Sequence, residues 1–208
     1  MPDPASRAEK FAVQSSRECF SGHIITVLAD EVAMPGGETV VREYVVHPGA
    51  VGIVALDEQA RLLLIRQYRH PVRQVLWELP AGLLDVDGEA PLAAAQRELR
   101  EEGAVTADRW DLLVDAYSSP GSSDESIRVF LARGLHEVPE AERHVGVDEE
   151  ADLQLEWVHL DEAVQRVFAG EIQNAMCVVG VLAAARARDL QWGMLRPADT
   201  PWSARGVG

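Results

Sequence analysis

The chain has 208 residues, of which 47% are hydrophobic and 25% charged, with two cysteines and a formal net charge of −15. That is enough apolar material for the core of one domain of ordinary size. The acidity argues against a protein that coats nucleic acid, and the two distant cysteines exclude a disulfide framework or a zinc site of the Cys/His type.

The opening stretch, MPDPASRAEKFAVQSS, has no apolar h-region, so no secretory signal is expected. Residues 1–18 are polar and are expected to be loose. From Cys19 the pattern changes. GHIITVLADEVAMPGGETVVREYVVH holds two β-rich runs around MPGGE, the mark of a hairpin with glycine at its turn. Residues 19–48 therefore read as a small antiparallel β region. GAVGIVALD and ARLLLIRQYRH follow as strands around the polar turn 57–59, and VLWELPAGLLD ends a strand at Pro80. A helix rich in Ala, Glu and Arg runs from about Pro91 to Glu102. WDLLVDAYSSPGSSDESIRVFLARGL reads as strand, loop, strand. EWVHLDEAVQRVFAGEI is a strand followed by a helix that Asp161 can N-cap.

NAMCVVGVLAAARARDL is a last, mostly buried helix, with Cys177 expected as a buried small hydrophobe. Its apolar run, 175–185, is too short to span a bilayer, so no membrane partner is expected and the cytoplasm is the default location. The tail, 191–208, is rich in Pro, Gly and Ser and is expected to be partly disordered. The order of elements gives an α+β class: a small N-terminal antiparallel sheet, then a mixed sheet with helices packed on it.

The helix after Pro91 raises a physical question. At about 100° per residue, Glu101 and Glu102 both lie within about 60° of Glu98. Leu92, Ala95 and Leu99 form a separate stripe that can face the core. Like charges three and four apart destabilise a helix by a few tenths of a kcal/mol per pair, and at its last turn the helix dipole also disfavours anions. A divalent cation would repay that cost, and Mg²⁺ and Mn²⁺ prefer carboxylate, carbonyl and water oxygens. The plainer alternative is a solvated face laced with salt bridges, because Arg97 and Arg100 are interleaved. Upstream, LPAGLLDVDGE puts a strand end and a loop just before the helix, where a backbone carbonyl near Ala81 offers one more oxygen.

This stretch resembles the Nudix box, G-x5-E-x7-R-E-U-x-E-E-x-G-U with U aliphatic. Here it runs through Gly82, Glu89, Arg97, Glu98, Leu99, Glu101, Glu102, Ala104 and Val105. There are two departures. Six residues separate Gly82 from Glu89, an insertion in a loop, where length costs little. Ala104 stands in place of the late glycine, with Gly103 one position early; Gly103 can take the C-cap if the helix ends a residue sooner. The resemblance implies a Nudix fold over residues 49–190, a mixed β-sheet sandwiched between helices. It implies a divalent metal, Mg²⁺ or Mn²⁺, with Glu98 and Glu102 as the main ligands, Glu101 assisting and Ala81 giving its carbonyl. Arg97 then holds a neighbouring carboxylate, and Glu89 fixes the loop on the helix.

A second stretch, SSPGSSDESIRVF, bears on substrate. Pro120 lies 16 positions after Ala104, and PGSSDE resembles the loop of the ADP-ribose pyrophosphatase subgroup. A plain Pro-Gly turn between strands explains the first two residues equally well. The resemblance makes Ser123 and Glu125 candidates for contact with substrate or with metal-held water. RQYRH before LWELPAG resembles the subgroup's substrate strand. Arg69 is then a candidate for a phosphate or the ribose, Arg42 a similar one, and Glu78 a polar contact. Trp77 and Tyr68 are candidates to stack on the base, with Trp77 as a core aromatic the stronger alternative. His70 and His144 read as bystanders.

The subgroup also takes its catalytic base from an acidic loop after the box. The matching segment, HVGVDEEADLQLEWVHL, offers Glu149 or Glu150. A solvated charge run is the alternative there. The implied reaction is hydrolysis of ADP-ribose to AMP and ribose 5-phosphate. Other nucleoside diphosphate sugars or dinucleotides, such as GDP-mannose or NADH, remain open, as does a non-hydrolytic ADP-ribose sensor. The subgroup implies a homodimer that exchanges its N-terminal β region to complete the adenosine pocket.

Overall fold

The computed structural model describes residues 11–144 and 153–202. They form two compact units.

The first unit comprises the chain up to Pro48 together with Tyr117–Glu125. Its sheet is an antiparallel meander of β1 (Val13–Ser21), β2 (Thr26–Ala33) and β3 (Thr39–Val46). The β2–β3 turn is the MPGGE stretch: Gly37 sits at φ 89° and its N–H donates to the Met34 carbonyl at 2.8 Å. A positive φ there costs glycine nothing. For residues 13–18, β1 corrects the expectation of a loose segment, because Ser15, Ser16 and Arg17 pair in register with Glu31, Asp30 and Ala29; residues 1–10 lie outside the described residues. β1 is exposed along its whole length, so no apolar face betrays it. It is held by ladder hydrogen bonds.

The loop 117–125 belongs to this unit through β3. The Val45 N–H donates to the Ser122 carbonyl at 2.9 Å, and the Asp124 N–H to the Val45 carbonyl at 3.1 Å. The His47 N–H donates to Asp124 Oδ1 at 2.8 Å.

The second unit comprises Gly49–Ala116 and the chain from Ser126 onward. Its strands are β4 (Ala50–Ala55), β5 (Arg61–Arg69), β6 (Gln74–Glu78), β7 (Ala81–Leu83), β8 (Val105–Tyr117), β9 (Ser126–Glu137), β10 (Gln154–His159) and β11 (Arg196–Pro197). Its helices are α1 (Pro91–Gly103), α2 (Leu160–Phe168) and α3 (Ala175–Asp189). A five-stranded sheet runs β11-β8-β9-β4-β7 and a three-stranded one runs β10-β5-β6. The larger sheet is mixed, because β4 is parallel to β9 and antiparallel to β7.

β4 is buried at every residue, as a strand covered on both faces must be. Val51, Ile53 and Ala55 share one core cluster with Ala94, Ala95 and Leu99 of α1. Val54 joins the other, with Leu79, Cys177 and Val181. Thus α1 covers one face and α3 the other, the layering the sequence implied. α3 lies close: a Cβ on Gly180 would stand 2.6 Å from Leu79 Cδ1.

Two local expectations are corrected. α2 starts at Leu160 with His159 at the N-cap position and no side-chain cap, while Asp161 lies in the first turn and accepts from Arg188 at 2.6 Å. That ion pair reaches α3. α1 runs through Gly103, and Ala104 takes the left-handed C-cap at φ 51°. Gly103 is buried, and a Cβ on it would lie 2.9 Å from Leu63 Cδ2. So Gly103 serves close packing, and Ala104 bears the αL strain.

The tail, 191–208, was expected to be partly disordered; its residues 191–202 are ordered, and 203–208 lie outside the described residues. β11 pairs with β8, and the Arg128 guanidinium donates to the Thr200 carbonyl at 2.7 Å and lies 4.7 Å from the centroid of the Trp202 ring. Trp192, Leu195 and Trp202 supply apolar surface that the Pro- and Gly-rich composition concealed.

Candidate active site

α1 forms because Ala and Leu fill its core stripe and Pro91 opens it, where a missing N–H costs nothing. Burial of Ala94, Ala95 and Leu99 fixes the helix rotation. Glu98 and Glu102, one turn apart, then face β7. Glu102 Oε2 accepts the Ala81 N–H at 2.8 Å. The Glu98 carboxylate fills the space that a side chain on residue 82 would need, because a Cβ there would overlap it. Two carboxylates of one helix thus converge on the Ala81–Gly82 backbone. Glu101 stands at the rim, its side chain 35% exposed.

Arg97 ties this group together. It holds Glu89 through two N–H···O bonds of 3.1 and 3.0 Å, and reaches Glu98 at 2.6 Å and Glu101 at 3.2 Å. A planar guanidinium can make such a paired grip and an ammonium cannot. The hydrogen bonds from Arg97 hold the Glu89 carboxyl below its ordinary range, and those to Glu89 push the guanidinium pKa up. The clustered negative charge is therefore partly offset within the protein. Among the described residues, no three Asp, Glu, His or Cys side chains stand ready-gathered around one point. The side-chain donors that converge on Ala81–Gly82 are carboxylate oxygens, and the missing Cβ of Gly82 lets the Glu98 carboxylate come against the backbone. Those features suit a hard divalent cation.

Arg69 and Glu78, expected as separate substrate contacts, are paired with each other at 2.9 and 2.6 Å. The Glu78 side chain is 2% exposed, so Arg69 compensates a buried charge. Trp77 is half-buried against the core, with the Arg66 guanidinium 5.4 Å from its ring centroid. That is the core placement weighed above. The hydroxyl of the exposed Tyr68 lies 3.3 Å from His70 Nδ1. Glu149 and Glu150 lie outside the described residues.

Within the first unit, a cavity of about 400 Å³ is lined by Arg42, Tyr44, Tyr117, Pro120, Gly121 and Ser123, among others. Arg42 and Ser123, far apart in sequence, are brought together there. Ser123 Oγ also accepts the Glu125 N–H at 3.0 Å. The Glu125 carboxylate accepts from the Ser118 hydroxyl and lies 3.7 Å from His47 Nδ1. Tyr44 and Tyr117 were not anticipated. Tyr44 was findable, since it lies two residues from Arg42 on the same face of a strand.

The NUDIX domain family profile matches residues 46–176. The chain is 48% identical over 195 residues to a Mycobacterium tuberculosis protein named ADP-ribose pyrophosphatase, covering 94% of this chain and 92% of that one. The chain belongs to the Nudix family. A Bacillus methanolicus relative named methanol dehydrogenase activator is 35% identical, over 80% of this chain and 88% of its own. Relatives of this Nudix chain therefore carry more than one assigned role. A crystal structure described as an ADP compounds hydrolase shares the fold, with a TM-score of 0.75 at 22% identity, covering 88% of this chain and 96% of that one. Nudix hydrolases generally use a divalent metal, and the Glu98–Glu102 turn is where this chain gathers its box carboxylates.

Proposed function

We propose that this Nudix chain hydrolyses the diphosphate of ADP-ribose, giving AMP and ribose 5-phosphate. The observation that carries the reading is the convergence of Glu98 and Glu102 on Ala81–Gly82. It occurs in a chain 48% identical to a protein named ADP-ribose pyrophosphatase.

Glu98, Glu101, Glu102 and the Ala81 carbonyl would hold Mg²⁺ or Mn²⁺. When bound, the cation supplies charge neutralisation for the diphosphate oxygens and acidifies the attacking water. The remaining work falls to the chain. Arg97 keeps Glu98 aligned and locks the loop through Glu89, so the carboxylates are preorganised before substrate arrives. Glu149 or Glu150 takes the proton of the water that attacks phosphorus, as the P–O bond to the leaving phosphate breaks. Arg69 contributes to substrate binding from a position fixed by Glu78. Arg42 and Ser123 contribute from the first unit's cavity, with Glu125 behind Ser123.

The N-terminal sheet serves a homodimer in which it is exchanged between subunits. Support comes from β1, exposed along both faces with Val13 and Phe20 more than half accessible. The expected location is the cytoplasm; no helix among the described residues is long and apolar enough to cross a membrane.

The test is product analysis with Mg²⁺ and a panel of ADP-ribose, ADP-glucose, GDP-mannose, NADH and 8-oxo-dGTP. Fastest cleavage of ADP-ribose, to AMP and ribose 5-phosphate, supports the reading. Faster cleavage of another member moves the substrate and leaves the metal site standing. No cleavage with Mg²⁺ or Mn²⁺ would favour a sensor.

A further inference from the structure

One residue that lines the cavity of the first unit, Tyr44, is tied to a buried carboxylate that does not line it. Asp30 of β2 stands opposite Arg42 of β3 in the ladder, and directly opposed residues share a face of the sheet. Tyr44, two residues along β3, shares that face and lines the cavity with Arg42. The Tyr44 hydroxyl donates to Asp30 Oδ2 at 3.2 Å. Asp30 is 8% exposed, and its Oδ1 is buried with no hydrogen-bond partner among the described residues.

The direction of this bond has a chemical consequence. A phenol carries one proton and two lone pairs. If Tyr44 turned its proton toward a ligand, both Asp30 oxygens would be left buried and unpaired, the costly arrangement for a carboxylate. The proton therefore stays on the Asp30 side. Burial first, and then the Asp30 carboxylate, push the Tyr44 pKa up, so the hydroxyl also stays protonated near neutrality. What Tyr44 can offer a ligand is a lone pair.

We propose that Tyr44, held as a hydrogen-bond acceptor by Asp30, selects a nucleobase that presents an exocyclic amino group over one that presents a keto oxygen. The inference rests on the reading that an adenosine diphosphate is the substrate, and it names the contact that reads the base. A 6-amino purine places N–H toward Tyr44. A 6-keto purine places oxygen against oxygen with no proton between them. Tyr117 and Pro120, which also line the cavity, offer a planar base apolar surface. Asp30 is a positioning residue and Tyr44 the contact.

The experiment compares kcat and KM for ADP-ribose and its 6-keto counterpart, IDP-ribose. Calorimetry of AMP and IMP supplies a readout independent of turnover. Wild type is expected to prefer the amino base by roughly tenfold or more, mainly through KM. Tyr44→Phe is expected to bring the two substrates close together. Asp30→Asn, whose amide can donate to the Tyr44 oxygen and free its proton, is expected to shift preference toward the keto base. A purely structural role would lower both substrates in parallel, so a ratio unchanged in a folded Tyr44→Phe protein overturns the proposal, as does a wild-type ratio near one. If neither sugar is cleaved yet AMP outbinds IMP through Tyr44, the reaction reading fails and this one stands. If AMP and IMP bind alike, this one falls whatever is cleaved.

Discussion

Gly82 and Glu98 share one space: a side chain on residue 82 would occupy the volume that the Glu98 carboxylate fills. The helix cannot retreat to make room, because Leu99 beside Glu98 is fully buried. Gly82→Ala should therefore displace the carboxylate and leave the fold in place. Turnover should fall by roughly tenfold to a hundredfold, as expected for a small misplacement of a positioned group, while the melting temperature changes little. Steady-state kinetics beside a thermal melt check this, and unchanged turnover would contradict it.

Arg69 compensates a buried charge, so its removal acts twice. Arg69→Ala should raise KM and also destabilise the protein by about 1–3 kcal/mol, a range set for a half-exposed partner. Adding Glu78→Gln should recover stability and leave KM high. Glu149→Gln should instead lower kcat. Interchanged KM and kcat effects would exchange these roles.

Glu156 lies on β10 and accepts from Arg166 at 3.0 and 2.7 Å. Those bonds hold its carboxyl below the ordinary value of 4.5. A carboxyl depressed on folding contributes stability above its unfolded value and loses it as pH falls through the folded one. The melting temperature should decline below about pH 4.5, and Glu156→Gln should flatten part of that decline. Melting curves from pH 7 to pH 3 for both proteins provide the comparison; parallel curves would contradict the assignment.

Cys177 is fully buried on α3, and burial pushes its thiol pKa up. Cys19 is exposed on β1. The thiolate is the reactive form. A thiol reagent at pH 8 should therefore label one cysteine in the native protein and two in denaturant. Prompt native labelling of Cys177 would mean that α3 opens more readily than its packing allows.

What was legible in the sequence follows from local periodicity. The α1 helix and its buried Ala95–Leu99 stripe were legible because helical spacing determines which face each residue takes. The same holds for the glycine turn at Gly37 and for buried Cys177. What was not legible depends on contacts distant in sequence. The 117–125 loop joins the N-terminal unit through Val45 and His47, and no periodicity announces that. β1 has no apolar face to signal a strand. The tail is ordered around Trp202 by Arg128, 74 residues away along the chain. The Arg69–Glu78 pairing joins residues that are not opposed, since the β5–β6 ladder sets Arg69 against Gln74 and Glu78 against Ile65, so no local pattern announces it.

The central claim is that Glu98 and Glu102 form the divalent-cation site of a diphosphate hydrolase. The most direct test is the rate of ADP-ribose hydrolysis at saturating substrate and Mg²⁺ for Glu98→Gln and Glu102→Gln, each checked for native fold by circular dichroism. The account predicts losses on the order of a hundredfold or more in both. A folded variant of either kind that keeps more than about half of wild-type turnover would contradict it, since a neutral amide in place of a main ligand cannot sustain that site.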